Sequence, residues 1–150
     1  LEEVWPLVQE SIPGITFSVV GKHPPSRLQG LAKGKGVEYA GYVPDPLPWL
    51  EKAGVFVVPL LSGGGMRVKI IDAWRWGLPV VSTTIGAEGI QYLDGENIWI
   101  ADAAPAFARA VVRVLSEDRL ASALRENGRR WVEQHYDWRS VYAAWDAVYG

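Results

Sequence analysis

The chain has 150 residues, enough for one domain, and its 49% hydrophobic and 21% charged residues are ordinary for a globular protein. A formal net charge of −2 lacks the basic excess with which proteins bind nucleic acid. The absence of cysteine excludes disulfide scaffolds, thiolate zinc sites and thiol nucleophiles, and two histidines, His23 and His135, are too few for a multi-histidine metal site.

The chain opens at Leu1-Glu2-Glu3-Val4-Trp5 with no initiator Met, no basic-then-apolar leader and no long apolar span, so it reads as a piece of something longer. Short apolar runs then alternate with amphipathic stretches. Val4, Leu7 and Val8 mark a helix within Glu2–Glu10. Thr16 to Gly21 reads as a strand ending at a glycine, Ser26–Lys33 as a short helix, and Val37–Gly41 as a second strand. Asp45-Pro46 has the form of an N-cap followed by a first-turn proline, opening a short helix through Lys52. Val55–Leu60 is continuously apolar, as expected of a strand covered on both faces. Met66–Trp76 is a stronger helix stopped by Gly77 and Pro79. Pro79–Thr83 and Asn97–Ala101 are two further strands.

From Ala103 onward the period is helical. Phe107, Val111, Val114 and Leu115 form one stripe, Leu120, Leu124 and Trp131 a second, and Trp138, Tyr142, Trp145 and Val148 a third. Ser116 before Glu117-Asp118 reads as an N-cap with acidic first-turn residues. Strands alternating with helices over short links predict a parallel α/β sheet with helices on both faces. The first element is a helix, whereas such a sheet normally starts with a strand, so one strand is expected upstream. Four of the eight tryptophans, Trp74, Trp131, Trp138 and Trp145, fall on helix faces and read as packing residues.

The chemistry concentrates after the Val55–Leu60 strand. Gly63, Gly64 and Gly65 lie between a strand's carboxyl end and the start of a helix, where open α/β sheets bind ligands. The first N–H groups of a helix lack internal acceptors and carry partial positive charge, and glycines let a phosphate approach them. Arg67 and Lys69 add formal charge, and with Gly63, Gly64, Gly65 and Met66 they make a candidate phosphate pocket. The plainer alternative is a loop in which glycine only supplies unusual backbone angles. No GxxxxGK[ST] loop, GxSxG elbow or HExxH occurs, and Val68 stands where a GxGxxG motif needs its third glycine. His135 falls at a helix end, where it would meet terminal carbonyls, and His23 reads as a surface-loop residue.

The order of these pieces resembles the C-terminal, donor-binding half of retaining glycosyltransferases of the two-Rossmann GT-B architecture, group 1 or family 4 type. The likeness runs over essentially the whole chain: Val19-Val20-Gly21, Val37 to Val43, Ala53 to Leu60, Gly63 to Ala73, Gly77 to Thr83 and Gly86 to Ile90. It implies a Rossmann-like parallel sheet sandwiched by helices, residues 1–150 as a single donor-binding domain with C-terminal helices from about residue 103, and an N-terminal acceptor domain outside this chain. Family members carry a Glu, seven residues and a second Glu. Asp72 holds the second position, which implies hydrogen bonds to the ribose diol, and Gly64 replaces the first, which departs from the pattern at the sugar. A branch of the family with a Gly-x-Gly-x-Arg-x-x-Lys-like loop is closer to Gly63–Lys69.

Tyr42 and Val43 match the loop bordering the nucleobase, Tyr42 by stacking or Val43 through its backbone, with a plain surface turn as the alternative. Glu88 matches a cleft loop, facing acceptor or sugar, or is simply a turn carboxylate. The resemblance implies a nucleoside diphosphate sugar as substrate, no cofactor, no metal, a cytoplasmic setting, and no catalytic residue that can be named from this half. The last helix of the family crosses back onto the N-terminal domain, so the Trp138–Trp145 stripe is apolar surface expecting a partner. A GT-B nucleotide-sugar epimerase or phosphorylase half and a non-catalytic nucleotide-binding α/β module are the alternatives. A receiver domain lacks its acidic cluster here, and a dinucleotide oxidoreductase lacks its third glycine.

Overall fold

The computed structural model describes residues 2–22, 36–65 and 67–136. The elements are α1 (Trp5–Ser11), β1 (Phe17–Val20), β2 (Val37–Gly41), α2 (Leu47–Leu50), β3 (Phe56–Val58), α3 (Val68–Arg75), β4 (Val80–Ser82), a 3₁₀ turn (Ile85–Ala87), β5 (Trp99–Ile100), α4 (Ala104–Ser116) and α5 (Asp118–His135). The expected Ser26–Lys33 helix, His23, Met66 and the Trp138–Val148 stripe lie outside the described residues.

Every strand pair is parallel, as the alternation predicted. β1 pairs with β2, Phe17 opposite Val37. β4 sits between β3 and β5, with Phe56 opposite Val80 and Val81 opposite Trp99. The strands thus form two parallel sheets, β1–β2 and β3–β4–β5. Successive residues of a strand point to opposite faces, and β4 shows this directly. Val81 joins a core with Trp5, Val8, Phe107, Val111 and Leu124, on the side of α1 and α4. Val80 joins another with Ile70, Ile71, Trp74, Ile98 and Val132, on the side of α3. The arrangement is therefore a layered α/β fold with helices on both faces.

Trp74 anchors the second layer. Its ring is wholly buried, and its Nε1–H donates to the Asn97 carbonyl at 2.8 Å. Gly128 of α5 faces the ring so closely that an added Cβ would overlap Cδ1, which lets α3 and α5 approach. α3 ends as the sequence predicts: Gly77, at φ +68°, follows the last turn, with Leu78 N–H donating to the Ala73 carbonyl at 2.9 Å and Gly77 N–H to Trp74 at 3.0 Å. This paired pattern is the Schellman termination.

Several boundaries differ from the sequence reading. α1 starts at Trp5 rather than Glu2 and ends at Ser11. α3 starts at Val68 rather than Met66, because Arg67 has a non-helical backbone (φ −90°, ψ 65°). α2 follows Pro46, with the Asp45 carboxylate accepting from Leu47 N–H at 2.9 Å. Ser116 is not an N-cap: it is the last residue of α4, and Glu117, extended at φ −112° and ψ 92°, joins the two helices. The Glu117 carboxylate caps neither helix. Arg113 holds it through bonds of 2.6 and 3.0 Å, and that hydrogen bond keeps the carboxyl below its ordinary range. The Arg113 guanidinium also lies over the Trp99 ring, 4.9 Å from its centroid.

The tight fit at Gly128 reverses an ordinary helix rule. In an open helix position Gly→Ala stabilises by about 1 kcal/mol. Here Gly128→Ala is expected to destabilise by about 1–3 kcal/mol, because the methyl group displaces the Trp74 ring. The urea midpoint against wild type checks this, and a raised midpoint would contradict it.

Candidate functional site

In parallel α/β sheets the loops at the carboxyl ends of the strands form the site, and here those ends are tied together by side chains. Ser82 and Thr83, at the end of β4, are both buried. Thr83 Oγ1 donates to the Leu60 carbonyl beyond β3 and accepts from Gly86 N–H at 2.9 Å. Ser82 Oγ lies 2.9 Å from the Thr83 carbonyl. Gly86 packs so tightly that a Cβ would run into Ser82 Oγ and the Val58 carbonyl. Beyond β5, Asp102 accepts from Thr84 N–H at 2.7 Å and from Thr84 Oγ1 at 2.8 Å. The 3₁₀ turn is thus fixed to all three strand ends, and Glu88 follows it in an exposed position.

The glycine loop stands beside this turn. Gly63 has φ +123° and Gly65 φ +93°, backbone that residues with a Cβ rarely adopt. All three glycines are exposed. Arg67 connects the loop to the turn: Nη1 donates to the Gly64 carbonyl at 3.0 Å, and Nη2 lies 3.5 Å from the Ile85 carbonyl. Its Nε is buried and has no acceptor among the described residues. Arg67 is therefore half-buried at the mouth of α3, where N-terminal amides also point outward.

Lys69 and Asp72, both exposed, sit one turn apart on α3. They line a cavity of about 1100 Å³ together with Val20, at the end of β1, and Pro46 and Trp49. Tyr42 is 64% exposed, with the Lys22 ammonium 4.3 Å from its ring centroid. The fold therefore brings Gly63, Gly64, Gly65, Arg67 and the Glu88 turn into one neighbourhood and Lys69 and Asp72 into a second. Tyr42, Val43 and Glu88 lie outside the cavity lining. No group of three or more His, Asp or Glu side chains is placed to hold a metal ion among the described residues.

Sequence reasoning did not single out Thr84, Asp102 or Lys22. The available signal was position: each is a polar residue just past the carboxyl end of a strand. His135 meets a terminal carbonyl as expected, with Nδ1 3.0 Å from the Trp131 oxygen, and its ring stacks on Trp131 at 3.9 Å. Trp131 is half-buried and donates to the Gln91 carbonyl at 2.9 Å, a packing role like that of Trp74.

Residues 1–117 match the family model described as glycosyl transferases group 1. Among curated proteins, the chain is 33% identical over 126 residues to the lipopolysaccharide core biosynthesis glycosyltransferase LpsE of Rhizobium meliloti, covering 78% of this chain and 36% of that protein. Among solved structures, the C-terminal domain of the group 1 family protein LpcC from Francisella tularensis superposes with a TM-score of 0.78 at 20% identity, covering 91% of this chain and 77% of that one. HepE of Anabaena, solved in complex with UDP, gives a TM-score of 0.82 at 13% identity, covering 99% of this chain and 45% of that one. The chain spans between 23% and 41% of the length of the curated relatives it matches. No helix among the described residues is long and apolar enough to cross a membrane.

The stitching of the strand ends gives a direct test. Thr83→Val keeps the shape of the side chain but strips the Leu60 carbonyl and Gly86 N–H of a shared partner. The expected cost is about 1–3 kcal/mol, read as a lower urea midpoint at unchanged slope, with Thr83→Ser close to wild type.

Proposed function

The chain belongs to the group 1 glycosyltransferases, and we propose that it is the donor-binding domain of an enzyme that moves a sugar from a nucleoside diphosphate to an acceptor. The observation that carries this reading is the glycine loop at the carboxyl end of β3. Gly63 and Gly65 adopt positive φ, and Arg67 stands beside them at the start of α3. A diphosphate there would meet N–H groups, a guanidinium and the positive end of a helix, with no Cβ in its way.

In this reading Gly63, Gly64, Gly65, Met66, Arg67 and Lys69 take the diphosphate. Asp72 accepts hydrogen bonds from both hydroxyls of the ribose, since a carboxylate has acceptor sites for a diol. Tyr42 or the backbone of Val43 borders the base, and Glu88, on the turn tied to β4 and β5, faces sugar or acceptor. As the glycosidic bond breaks, negative charge grows on the leaving diphosphate. Donors already aimed at that position stabilise it without reorganising. Gly64 stands where the family pattern that the sequence resembles has a glutamate, so in this reading recognition of the sugar falls to other groups.

The acceptor would bind to an N-terminal domain of the same enzyme, and residues 1–150 act as one unit of it. The reaction as proposed needs the nucleotide-sugar as substrate and neither metal nor further cofactor. Nucleotide-sugars are cytosolic, so we place the reaction in the cytoplasm. The GT-B epimerase alternative predicts the same phosphate site and differs only in the fate of the sugar.

Calorimetric titration of the chain with UDP, GDP, ADP and NAD tests the reading. One or more nucleoside diphosphates are expected to bind, without turnover of the sugar nucleotide by this domain alone. Asp72→Ala should weaken that binding about 10-fold or more, the effect of losing a hydrogen bond to a charged group. Binding of NAD with no response to any nucleoside diphosphate would defeat the proposal.

A further inference from the structure

The turn that carries Glu88 is held more firmly than its exposure requires. Of residues 86–90 only Glu88 and Gly89 are exposed. Ala87 and Ile90, on either side of them, are buried in the core that contains Trp74 and Val80. Ala87 N–H donates to the Thr83 carbonyl at 3.0 Å, and Ile90 N–H to the Ala87 carbonyl at 3.4 Å. The next residue, Gln91, is gripped at both backbone groups by the end of α5. Tyr136 Oη accepts from its N–H at 2.8 Å, and Trp131 Nε1–H donates to its carbonyl at 2.9 Å. These grips are themselves anchored. Arg75, the last residue of α3, donates to the Tyr136 carbonyl at 3.4 Å, and the His135 ring stacks on Trp131. A two-residue exposed span is thus pinned at both ends, and the backbone of Glu88 is fixed without being buried. A group held in this way costs little ordering entropy when a ligand binds it.

The neighbours of the turn narrow what such a ligand is. The Arg67 guanidinium reaches the Gly64 carbonyl on one side and the Ile85 carbonyl on the other, so the turn stands directly beside the glycine loop. The other polar side chains along this edge are already committed: Thr83 to Leu60 and Gly86, Thr84 and Asp102 to each other. The Glu88 carboxylate has no ion pair or side-chain hydrogen bond among the described residues. Its charge decides the rest. A carboxylate repels a diphosphate, but it accepts hydrogen bonds from hydroxyls, two at once from a diol. In a nucleoside diphosphate sugar the hydroxyl-rich group bonded to the terminal phosphate is the sugar.

We propose that Glu88 determines specificity for the transferred sugar by accepting hydrogen bonds from its hydroxyls, and that Trp131 and Tyr136 are positioning residues which aim it through Gln91. This inference rests on the donor-binding reading and commits Glu88 to the donor sugar rather than to the acceptor. The end of α5 touches no phosphate in this arrangement. It acts on the sugar alone, because the glycine loop is held by Arg67 and the start of α3, whereas the far side of the Glu88 turn is held by Gln91. Loss of a grip on Gln91 therefore loosens the carboxylate and leaves the phosphate donors where they are.

The test titrates the chain calorimetrically with two pairs of probes, UDP with UDP-glucose and GDP with GDP-mannose. The readout is the ratio of dissociation constants within a pair, diphosphate over sugar nucleotide, which isolates the contribution of the sugar. Glu88→Gln keeps the shape and removes the charge, and it should lower that ratio about 10-fold in the pair that binds. Tyr136→Phe strips Gln91 N–H of its acceptor and keeps the ring. It should lower the same ratio about 3-fold or more and speed amide exchange at Gln91 about 10-fold, read by NMR. Trp131→Phe, which removes the donor to the Gln91 carbonyl, should lower the ratio in the same direction. A ratio unchanged by Glu88→Gln would overturn the proposal, and so would equal weakening of diphosphate and sugar nucleotide by Tyr136→Phe, the mark of a merely structural role. Silence of the wild-type chain towards all four probes would defeat the donor reading and this proposal with it, whereas a retained ratio in variants that still bind defeats this proposal alone.

Discussion

The seat of Trp74 is the constraint on which the remaining geometry depends. A large ring at full burial fixes α3 against α5 through Gly128 and against the β5 approach through Asn97. The same Asn97 accepts from Leu93 N–H at 2.9 Å and so holds the turn that leads into β5. Because α3 is short, with 8 residues, locking its last turn also sets the direction of its first. The glycine loop is attached there, and its position follows from a packing contact two turns away. Truncating a buried aromatic of this kind costs about 3–5 kcal/mol, a large share of a domain's total stability.

At the other end of the same layer, order comes from short polar side chains rather than apolar area. Thr83, Thr84, Asp102 and Arg67 satisfy backbone groups that the strand ends leave open. The loops at the carboxyl edge are therefore held in place without being buried. Such a surface suits a charged ligand: the protein contributes oriented amides and one guanidinium, and a net charge of −2 is no obstacle. In the proposed reading, specificity for phosphate arises from direction, not from a broad basic face.

Much of this was legible in the residues. The parallel α/β class followed from alternating apolar runs and amphipathic stretches, and β2 falls on Val37–Gly41 as read. The stop of α3 at Gly77 was visible because only a left-handed residue completes that termination. The left-handed backbone of Gly63 and Gly65 was legible as glycines at a strand–helix junction. It was not legible at Thr84 and Asp102, which are 18 residues apart and meet only through the β4–β5 pairing. Ser116 misled because Glu117 breaks the helix first and gives its carboxylate to Arg113, a competition that sequence spacing does not rank. Val55–Leu60 reads as a doubly covered strand, yet only Val58 of β3 is buried, because among the described residues β3 pairs on one side alone, with β4.

By itself the sequence determined the periodicities, and with them the class of fold, the order of the elements, the glycine loop and the family. These are local properties, set by side-chain spacing and backbone freedom within a dozen residues. Only the tertiary structure decided which residues meet: Trp74 with Gly128, Arg67 with Gly64 and the Ile85 turn, Thr84 with Asp102, and Lys69 and Asp72 on the wall of a cavity between two sheets. The same holds for the edges of β1 and β3, which among the described residues pair with β2 and β4 alone. A strand's hydrophobic pattern records that it expects cover, but whether a neighbour stands beside it is a fact of packing.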